Sequence, residues 1–162
     1  MVQIEMNVVF EGDIRPPGPE DLAVVADMVG QLAAYHGDTA SVTVQELARD
    51  ILGPDPWVQV LLAEHRGVPV GYAALTPMAQ MQFGRRGLDM HHLYVAEGHR
   101  GKGVGKALIA ASRHVARARG CHYLSVGTHP ENRQAQRIYD AMGFERSDPP
   151  GPRFRIPLGA EA

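Results

Sequence analysis

The sequence has little of what marks an extracellular, membrane-spanning or nucleic-acid-binding protein. Its single cysteine, Cys121, excludes a disulfide within the chain and favours a reducing setting. No apolar run approaches the roughly 18–20 residues that cross a bilayer, and residues 1–10 lack the cationic start of a signal peptide. The formal net charge of −2 gives no overall positive field for nucleic acid. We therefore expect a cytoplasmic protein that binds neither membrane nor nucleic acid.

Motifs for metals and for a cysteine nucleophile are also missing. The eight histidines are scattered, without H-E-x-x-H or C-x-x-C spacing, so we expect no metal site. Cys121 begins an apolar stretch, where a free cysteine is usually inert. The 162 residues, 44% of them hydrophobic and 21% charged, suffice for one globular domain with its own core. We predict a single domain over residues 1–162.

The most informative stretch is a glycine-rich loop between a β-rich segment and an amphipathic helix. The β-rich segment ends at Val95 and the helix begins near Gly103. The loop, residues 98–106 and here called the glycine loop, has glycines at 98, 101, 103 and 105 and cations at 100, 102 and 106. Glycine lets the backbone approach a ligand, and a helix N-terminus offers unpaired N–H groups and a positive dipole end. This combination predicts a phosphate or pyrophosphate site.

Two common phosphate-binding motifs do not fit the glycine loop. The Walker motif needs a glycine five residues before Gly-Lys, but Arg100 and Ala96 occupy those positions. The dinucleotide motif needs a third glycine where Lys106 or Leu108 stands, and a ribose-binding acid about 20 residues further on is missing. The loop therefore predicts a different phosphate ligand.

Two segments together resemble the coenzyme A site of the GNAT acyltransferase superfamily. Residues 100–105 read R-G-x-G-x-G, which is similar to the pyrophosphate loop of that family. A later segment is similar to the family's second cofactor segment in residue type and spacing, and it contains Asn132, Ala135, Tyr139, Gly143 and Phe144. The two motifs lie within residues 88–144, the expected core of the domain.

The resemblance implies an α/β fold with a mixed, mostly antiparallel sheet of 6–7 strands, flanked by about four helices. It also implies that the strand ending at Val95 and the strand ending near Gly127 splay apart. Periodicity and turn residues predict helices over 19–36, 43–52, 103–119 and 132–142, and strands over 57–64, 68–75, 88–95, 121–127 and 153–158, with a long loop at 76–87. A first strand could lie at 7–10 or at 13–15, and the resemblance favours 13–15.

The resemblance further implies acetyl-CoA as cosubstrate. Backbone N–H groups of the glycine loop would hold its pyrophosphate, and the N–H of Val95 or a neighbour would bind the thioester oxygen. Asn132 would anchor the pantetheine arm or a water molecule. The expected cofactor-binding residues are Leu93, Tyr94, Val95, Arg100, Gly101, Lys102, Gly103, Val104, Gly105, Lys106, Asn132 and Ala135.

Two residues are candidates for proton transfer. Tyr139 is the candidate acid, because a phenol with a pKa of about 10 keeps its proton near neutral pH. His91 is the candidate base, because it stands where many relatives have a glutamate. His91 and His92 should point to opposite faces of a strand. Glu64, Asp89 and His129 are alternative bases, and an amine that arrives neutral needs none.

Within the superfamily, the chain resembles diamine acetyltransferases at three segments, residues 13–15, 53–57 and 119–121. Those enzymes have an acidic pair where His91 and His92 stand, and this departure weighs against their preference for polycations. The expected acceptor is a primary amine of a small molecule, including an amino-acid-like one. Acetylation of a protein or peptide amine, or a non-catalytic acyl-CoA-binding module, are the alternatives. The resemblance also implies a homodimer.

Overall fold

The computed structural model describes residues 9–159, and within this range the chain forms five β-strands and four α-helices. The chain divides into two compact units, the first ending at Gly127 and the second beginning at Thr128. The first unit contains β1 (Asp13–Arg15), α1 (Leu22–Tyr35), α2 (Val44–Leu47), β2 (Gln59–His65), β3 (Val68–Gln80), β4 (Arg85–Val95), α3 (Val104–Ala118) and β5 (Tyr123–Val126). The second unit contains α4 (Arg133–Ala141).

The sheet is mixed and mostly antiparallel, as predicted, with the order β1-β2-β3-β4-β5. The first four strands pair antiparallel, and β5 runs parallel to β4. The first strand lies at 13–15, as the resemblance favoured, whereas the other candidate at 7–10 falls partly outside the described residues. Pairing of β5 with β4 ends at Met90 and Val126, although β4 continues to Val95. One edge of β4 is therefore left open near the glycine loop.

The prediction of 6–7 strands is wrong, because the structure has five among the described residues. The expected strand at 153–158 is irregular, and its three apolar side chains are exposed. Alternating polar and apolar residues there resemble a strand, but a strand needs a paired neighbour.

The predicted loop at 76–87 is largely a hairpin. Both strands extend into it, so that Gln80 pairs with Arg85 around a 3-10 turn at Met81–Phe83. Pro77 is tolerated within β3 because β2 ends beside Leu75, which leaves one edge of β3 without a neighbour there.

Helices α1 and α3 cover opposite faces of the sheet. Side chains alternate along β3, so Tyr72 faces α1, where it packs with Val25 and Met28, whereas Gly71 faces α3. A Cβ at Gly71 would lie 2.5 Å from the Tyr94 carbonyl oxygen and 3.3 Å from a methyl of Val104. Glycine at this position therefore lets the first turn of α3 approach the sheet beside β4.

Candidate functional site

A β-bulge in β4 shapes the centre of the candidate site. Ala74 of β3 pairs with His92, and Leu75 pairs with Met90, so His91 is the extra residue. The bulge interrupts the alternation of side chains. The rings of His91 and His92 consequently stack, with centroids 4.3 Å apart and planes 16° apart. The prediction that these two side chains point to opposite faces is therefore wrong.

A buried hydroxyl fixes the inner histidine of this pair. The Tyr72 hydroxyl lies 2.9 Å from Nδ1 of His92, and Tyr72 is only 1% exposed. Burial raises the pKa of Tyr72, so its hydroxyl keeps its proton. Burial, followed by the charges of His91 and His36, lowers the pKa of His92 to about 4, so this ring is neutral near pH 7. With the hydroxyl as donor, His92 carries its own proton on Nε2.

The open edge of β4 presents backbone groups between the bulge and the glycine loop. The N–H of Ala96 donates to the Val70 carbonyl at 2.8 Å, so alternate residues of β4 turn toward β3. The N–H groups of Leu93 and Val95 therefore face the other edge, where pairing with β5 has already ended. Arg100 Nε donates to the Val95 carbonyl at 3.2 Å, and this contact holds the glycine loop beside the edge.

Two glycines of the loop have backbone conformations that other residues rarely adopt. Gly101 has φ +75°, and Gly103, the N-cap of α3, has φ +81°. Gly103 provides no capping side chain, so the first N–H groups of the helix stay open to a ligand. The sequence prediction of a helix beginning near Gly103 is confirmed, since α3 starts at Val104.

The loop amides fit an anionic ligand. Within the described part of the chain, no N–H from residue 101 to residue 106 donates to a protein acceptor, and Ala107 makes the first such bond, to the Gly103 carbonyl. Lys102 and Lys106 are exposed, and the Arg100 guanidinium lies 5.3 Å from the ring centre of Tyr35. Unpaired amides at the positive end of a 15-residue helix, with cations beside them, suit a pyrophosphate.

Tyr94 differs from the other predicted cofactor-binding residues of β4. Its side chain is buried against α1, where its hydroxyl donates to Gln31 Oε1. Its backbone is paired with Tyr72 of β3. The side chain of Val104 is also buried, at 2% exposure, so this residue can offer a ligand only its backbone. Leu93, Val95 and the other residues from 100 to 106 are exposed or half-buried.

The alternative bases are engaged elsewhere. Glu64 accepts from Arg15 at 3.0 Å, and Arg15 also binds Asp21 through two hydrogen bonds of 2.7 and 2.9 Å. The Arg15 guanidinium, with help from the Gly18 N–H, lowers the pKa of Asp21 to about 2. Asp89 accepts from the Ser125 hydroxyl at 2.8 Å.

His129, the third alternative, lies in the second unit, where its Nδ1 accepts from the Glu131 N–H at 3.2 Å. His91, by contrast, is exposed at the bulge.

Helix α4, in the second unit, and its N-cap contain three further predicted residues. Asn132 is the N-cap, and its Oδ1 accepts from the Ala135 N–H at 3.1 Å, while its NH₂ group makes no hydrogen bond within the described residues. Asn132, Ala135 and Tyr139 are all half-buried and share one face of the helix. Tyr139 packs edge-to-face on Phe144, with ring centroids 5.6 Å apart. Burial raises the pKa of Tyr139, which keeps the phenol protonated and able to donate.

Sequence reasoning missed the bulge and the partner of His92. Tyr72 was assigned only to a strand, and nothing in the letters around it indicates a polar contact 20 residues away. Among residues 9–159, no three side chains of the metal-binding types lie close enough together to hold an ion. No helix in this range has the length and apolar character to cross a bilayer.

Comparison with known sequences gives relatives over part of the chain. "Probable N-acetyltransferase family 8 member 5" of Mus musculus is 34% identical over 86 residues, which are 53% of this chain and 38% of the relative. An "L-methionine sulfoximine/L-methionine sulfone acetyltransferase" of Salmonella typhimurium is 33% identical over 97 residues, 60% of this chain and 54% of the relative. The chain thus spans about half or less of the length of these relatives. Their names do not support a special closeness to diamine acetyltransferases.

A solved structure and a family model extend the match over most of the chain. The structure of "AAC(6')-Iy in complex with bisubstrate analog CoA-S-monomethyl-acetylneamine" is 26% identical, with a TM-score of 0.74, over 90% of this chain and 99% of that one. The model of the Acetyltransferase (GNAT) family matches residues 28–144, which include both the glycine loop and α4. Because this match covers well over half of the sequence, the chain belongs to the GNAT acetyltransferase family.

Proposed function

We propose that the chain transfers the acetyl group of acetyl-CoA to a primary amine of a small molecule. One observation carries this proposal: the unpaired N–H groups of residues 101–106 lie at the N-terminus of α3, directly after the open edge of β4. Membership of an acetyltransferase family supports the reaction type, and the coenzyme A analogue in the AAC(6')-Iy structure supports the cosubstrate.

The backbone would do most of the cofactor binding. N–H groups of the glycine loop would hold the pyrophosphate, with Arg100, Lys102 and Lys106 adding positive charge. The N–H groups of Leu93 and Val95 would pair with the amide arm and the thioester oxygen. A donor fixed in place before the reaction stabilises the charge that develops on that oxygen.

Bound acetyl-CoA would supply an activated acetyl thioester, and the amine nitrogen would attack it directly as the bond to sulfur breaks. No covalent protein intermediate is required. Holding both reactants side by side can contribute on the order of 7–11 kcal/mol at best. The proton lost by the amine would pass to His91, and Tyr139 would donate its phenolic proton to the departing thiolate.

His91 suits the role of base because its neighbour limits the rotation of its ring and carries no positive charge near pH 7. Its ring is exposed and stacks on His92, which is neutral near pH 7 and is held by Tyr72. The ring next to His91 therefore carries no positive charge near pH 7. The stacking also limits the rotation of His91, which keeps its nitrogen near one position on the bulge.

The relatives support an amino-acid or amino-sugar acceptor more than a diamine. One relative is named for methionine sulfoximine and methionine sulfone, and the AAC(6')-Iy structure contains an acetylneamine analogue. A diamine, to which the similarity at residues 53–57 pointed, belongs in the same substrate panel. We also propose a homodimer and a cytoplasmic location. Light scattering after size exclusion tests the first, and fractionation of the source cells tests the second.

The test measures thiol release from acetyl-CoA with a panel of amino acids, an aminoglycoside, a diamine and a peptide. We expect release that depends on one small amine, with kcat falling about 100-fold in Tyr139→Phe while acetyl-CoA affinity holds. Binding of acetyl-CoA without release by any amine would instead indicate a non-catalytic module. Release with the peptide alone would indicate a protein substrate.

A further inference from the structure

A groove lies beside α2, on the side of the sheet covered by α1. It has a volume of about 620 Å³, within the usual range of small-molecule sites. Its lining consists of Arg49, Asp50, Pro54, Asp55, Trp57, Val58 and Thr76. Trp57 is 72% exposed, although a large aromatic side chain is usually well buried. We call this feature the Trp57 groove.

An unusual turn builds one wall of the groove. Residues Ala48–Leu52 continue α2 as a π-helical turn, a geometry often found at functional sites. The Asp50 carbonyl accepts from the N–H groups of both Trp57 and Val58, at 2.8 and 3.0 Å. These two bonds fix the backbone from which the exposed indole projects.

Gly53 allows the chain to fold back this tightly. A Cβ there would lie 2.5 Å from the Arg49 carbonyl oxygen, too close for any other residue. Pro54 and Pro56 then restrict the segment that leads to Trp57. The groove is therefore formed in advance, which lowers the entropy cost of binding.

The charges in the groove favour a positive ligand. Arg49 and Asp50 neutralise each other through two hydrogen bonds of 2.8 and 2.9 Å. Asp55 is exposed, and no ion pair involves it within the described residues. One uncompensated carboxylate and one exposed indole therefore line the same groove. A tryptophan face attracts an ammonium group through its quadrupole, and a nearby carboxylate adds to that attraction.

The groove and the bulge lie on the same face of the sheet. Thr76, which lines the groove, is two residues from Ala74 on β3, and Ala74 pairs with His92. Two residues along a strand span roughly 7 Å. A ligand in the groove can therefore extend toward the His91 ring, which stacks on His92.

We infer that the Trp57 groove binds an ammonium group of the acceptor other than the one that is acetylated. The preferred acceptor then has at least two amines: one stays charged against Trp57 and Asp55, and the other reaches the bulge. The inference rests on the proposed function only in treating the ligand as the acceptor. Between the two acceptor classes that the relatives suggest, it favours an amino sugar, which carries several amines, over an amino acid, which carries a carboxylate.

Trp57 itself reports on the groove, because it is the only tryptophan in the sequence. Its fluorescence can be titrated, without acetyl-CoA, with four probes on one carbon skeleton: butane-1,4-diamine, butan-1-amine, 4-aminobutyrate and butyrate. We expect the diamine to bind about tenfold more tightly than 4-aminobutyrate at low salt, with butan-1-amine between them. Equal or tighter binding of 4-aminobutyrate or butyrate, or no change with any probe, would overturn the inference.

Matched variants assign the effect to the groove. Asp55→Asn should weaken diamine binding about fivefold, because it removes the uncompensated charge. Asp27→Asn, at an exposed carboxylate on α1, should leave binding unchanged. Trp57→Phe should weaken diamine binding, as measured by calorimetry, and butyrate should not bind to this variant. Equal affinities in Asp55→Asn and Asp27→Asn would contradict the assignment.

The titration also separates the two proposals. If no amine stimulates thiol release but the diamine still quenches Trp57, the proposed function fails and the groove assignment stands. If amino acids are acetylated and the diamine does not bind, the proposed function stands and the groove assignment fails.

Discussion

The two halves of the candidate site in the first unit work by different means. In the glycine loop the functional groups are backbone amides, held open because Gly101 and Gly103 adopt left-handed conformations. At the bulge they are side chains, with His91 stacked on a histidine that a buried tyrosine fixes. A backbone site depends on φ angles and tolerates many side chains, whereas a side-chain site depends on one functional group. Substitutions should therefore separate binding from chemistry.

The largest effect should come from the bulge. His91→Gln removes the proposed base but keeps a polar side chain of similar size, so kcat should fall about 100-fold or more. The dissociation constant of acetyl-CoA should stay within about twofold, because the loop amides are untouched. Stopped-flow thiol release and equilibrium binding measure the two quantities. A variant that keeps its kcat would show that the amine needs no base from His91.

The next largest effect should come from the glycine loop, where a substitution should weaken acetyl-CoA binding and leave kcat nearly unchanged. Gly103→Val places a β-branched residue at φ +81°, where strain costs about 1–3 kcal/mol. The dissociation constant of acetyl-CoA should rise about 30-fold, with kcat at saturation little changed. Gly98→Ala is the matched control, because Gly98 has open space around it and no positive φ. Equal losses in both variants would count against the loop amides as the binding groups.

A charge change in the same loop should act more weakly. Arg100→Glu replaces the cation that contacts the Val95 carbonyl, and it should weaken acetyl-CoA binding about tenfold at low salt. Because Arg100 is exposed, the difference from wild type should shrink as salt rises. Calorimetry at two ionic strengths measures this. Affinity that is unchanged at low salt would remove Arg100 from the site.

The loop could be predicted from the sequence because its determinants are local. Glycine spacing, a helix start and neighbouring cations all lie within residues 98–106, and none needs a distant partner. The bulge has no such signature, since an extra residue in a strand is defined by what stands opposite. The side chains of His91 and His92 were therefore predicted to point to opposite faces of the strand.

The same reason explains the errors in the fold. Pro77, Gly84 and Gly87 are residue types that are common in turns, and the hairpin between β3 and β4 was predicted as a loop. Only Gly84 makes the turn, with φ +59°. Gly87 is needed instead because a Cβ there would lie 2.3 Å from the Tyr123 ring, a contact made by a strand 36 residues later. At the tail, residues 153–158 alternate as a strand does but pair with no other strand of the described chain.

The smallest expected effect tests the environment of the bulge through stability. His92 has a pKa of about 4 in the folded chain, mainly because of burial, against about 6.5 when unfolded. The unfolded chain binds more protons between these values, so stability should fall as the pH drops from about 6.5 toward 4. Asp21, with a pKa of about 2, stays ionised at pH 5, so its titration does not contribute to the change in stability between pH 7 and pH 5.

The free energy of unfolding should therefore fall between pH 7 and pH 5, and it should fall by about 1 kcal/mol more in wild type than in His92→Gln. This value is smaller than the full pKa shift implies, because the ring is partly exposed and solvent screens its interactions. Urea denaturation at the two pH values measures the difference. Glutamine can still accept from the Tyr72 hydroxyl, so the variant removes the titration and keeps the contact. Parallel losses in both proteins would mean that His92 titrates normally. His91 would then have a charged ring beside it at pH values below about 6.5.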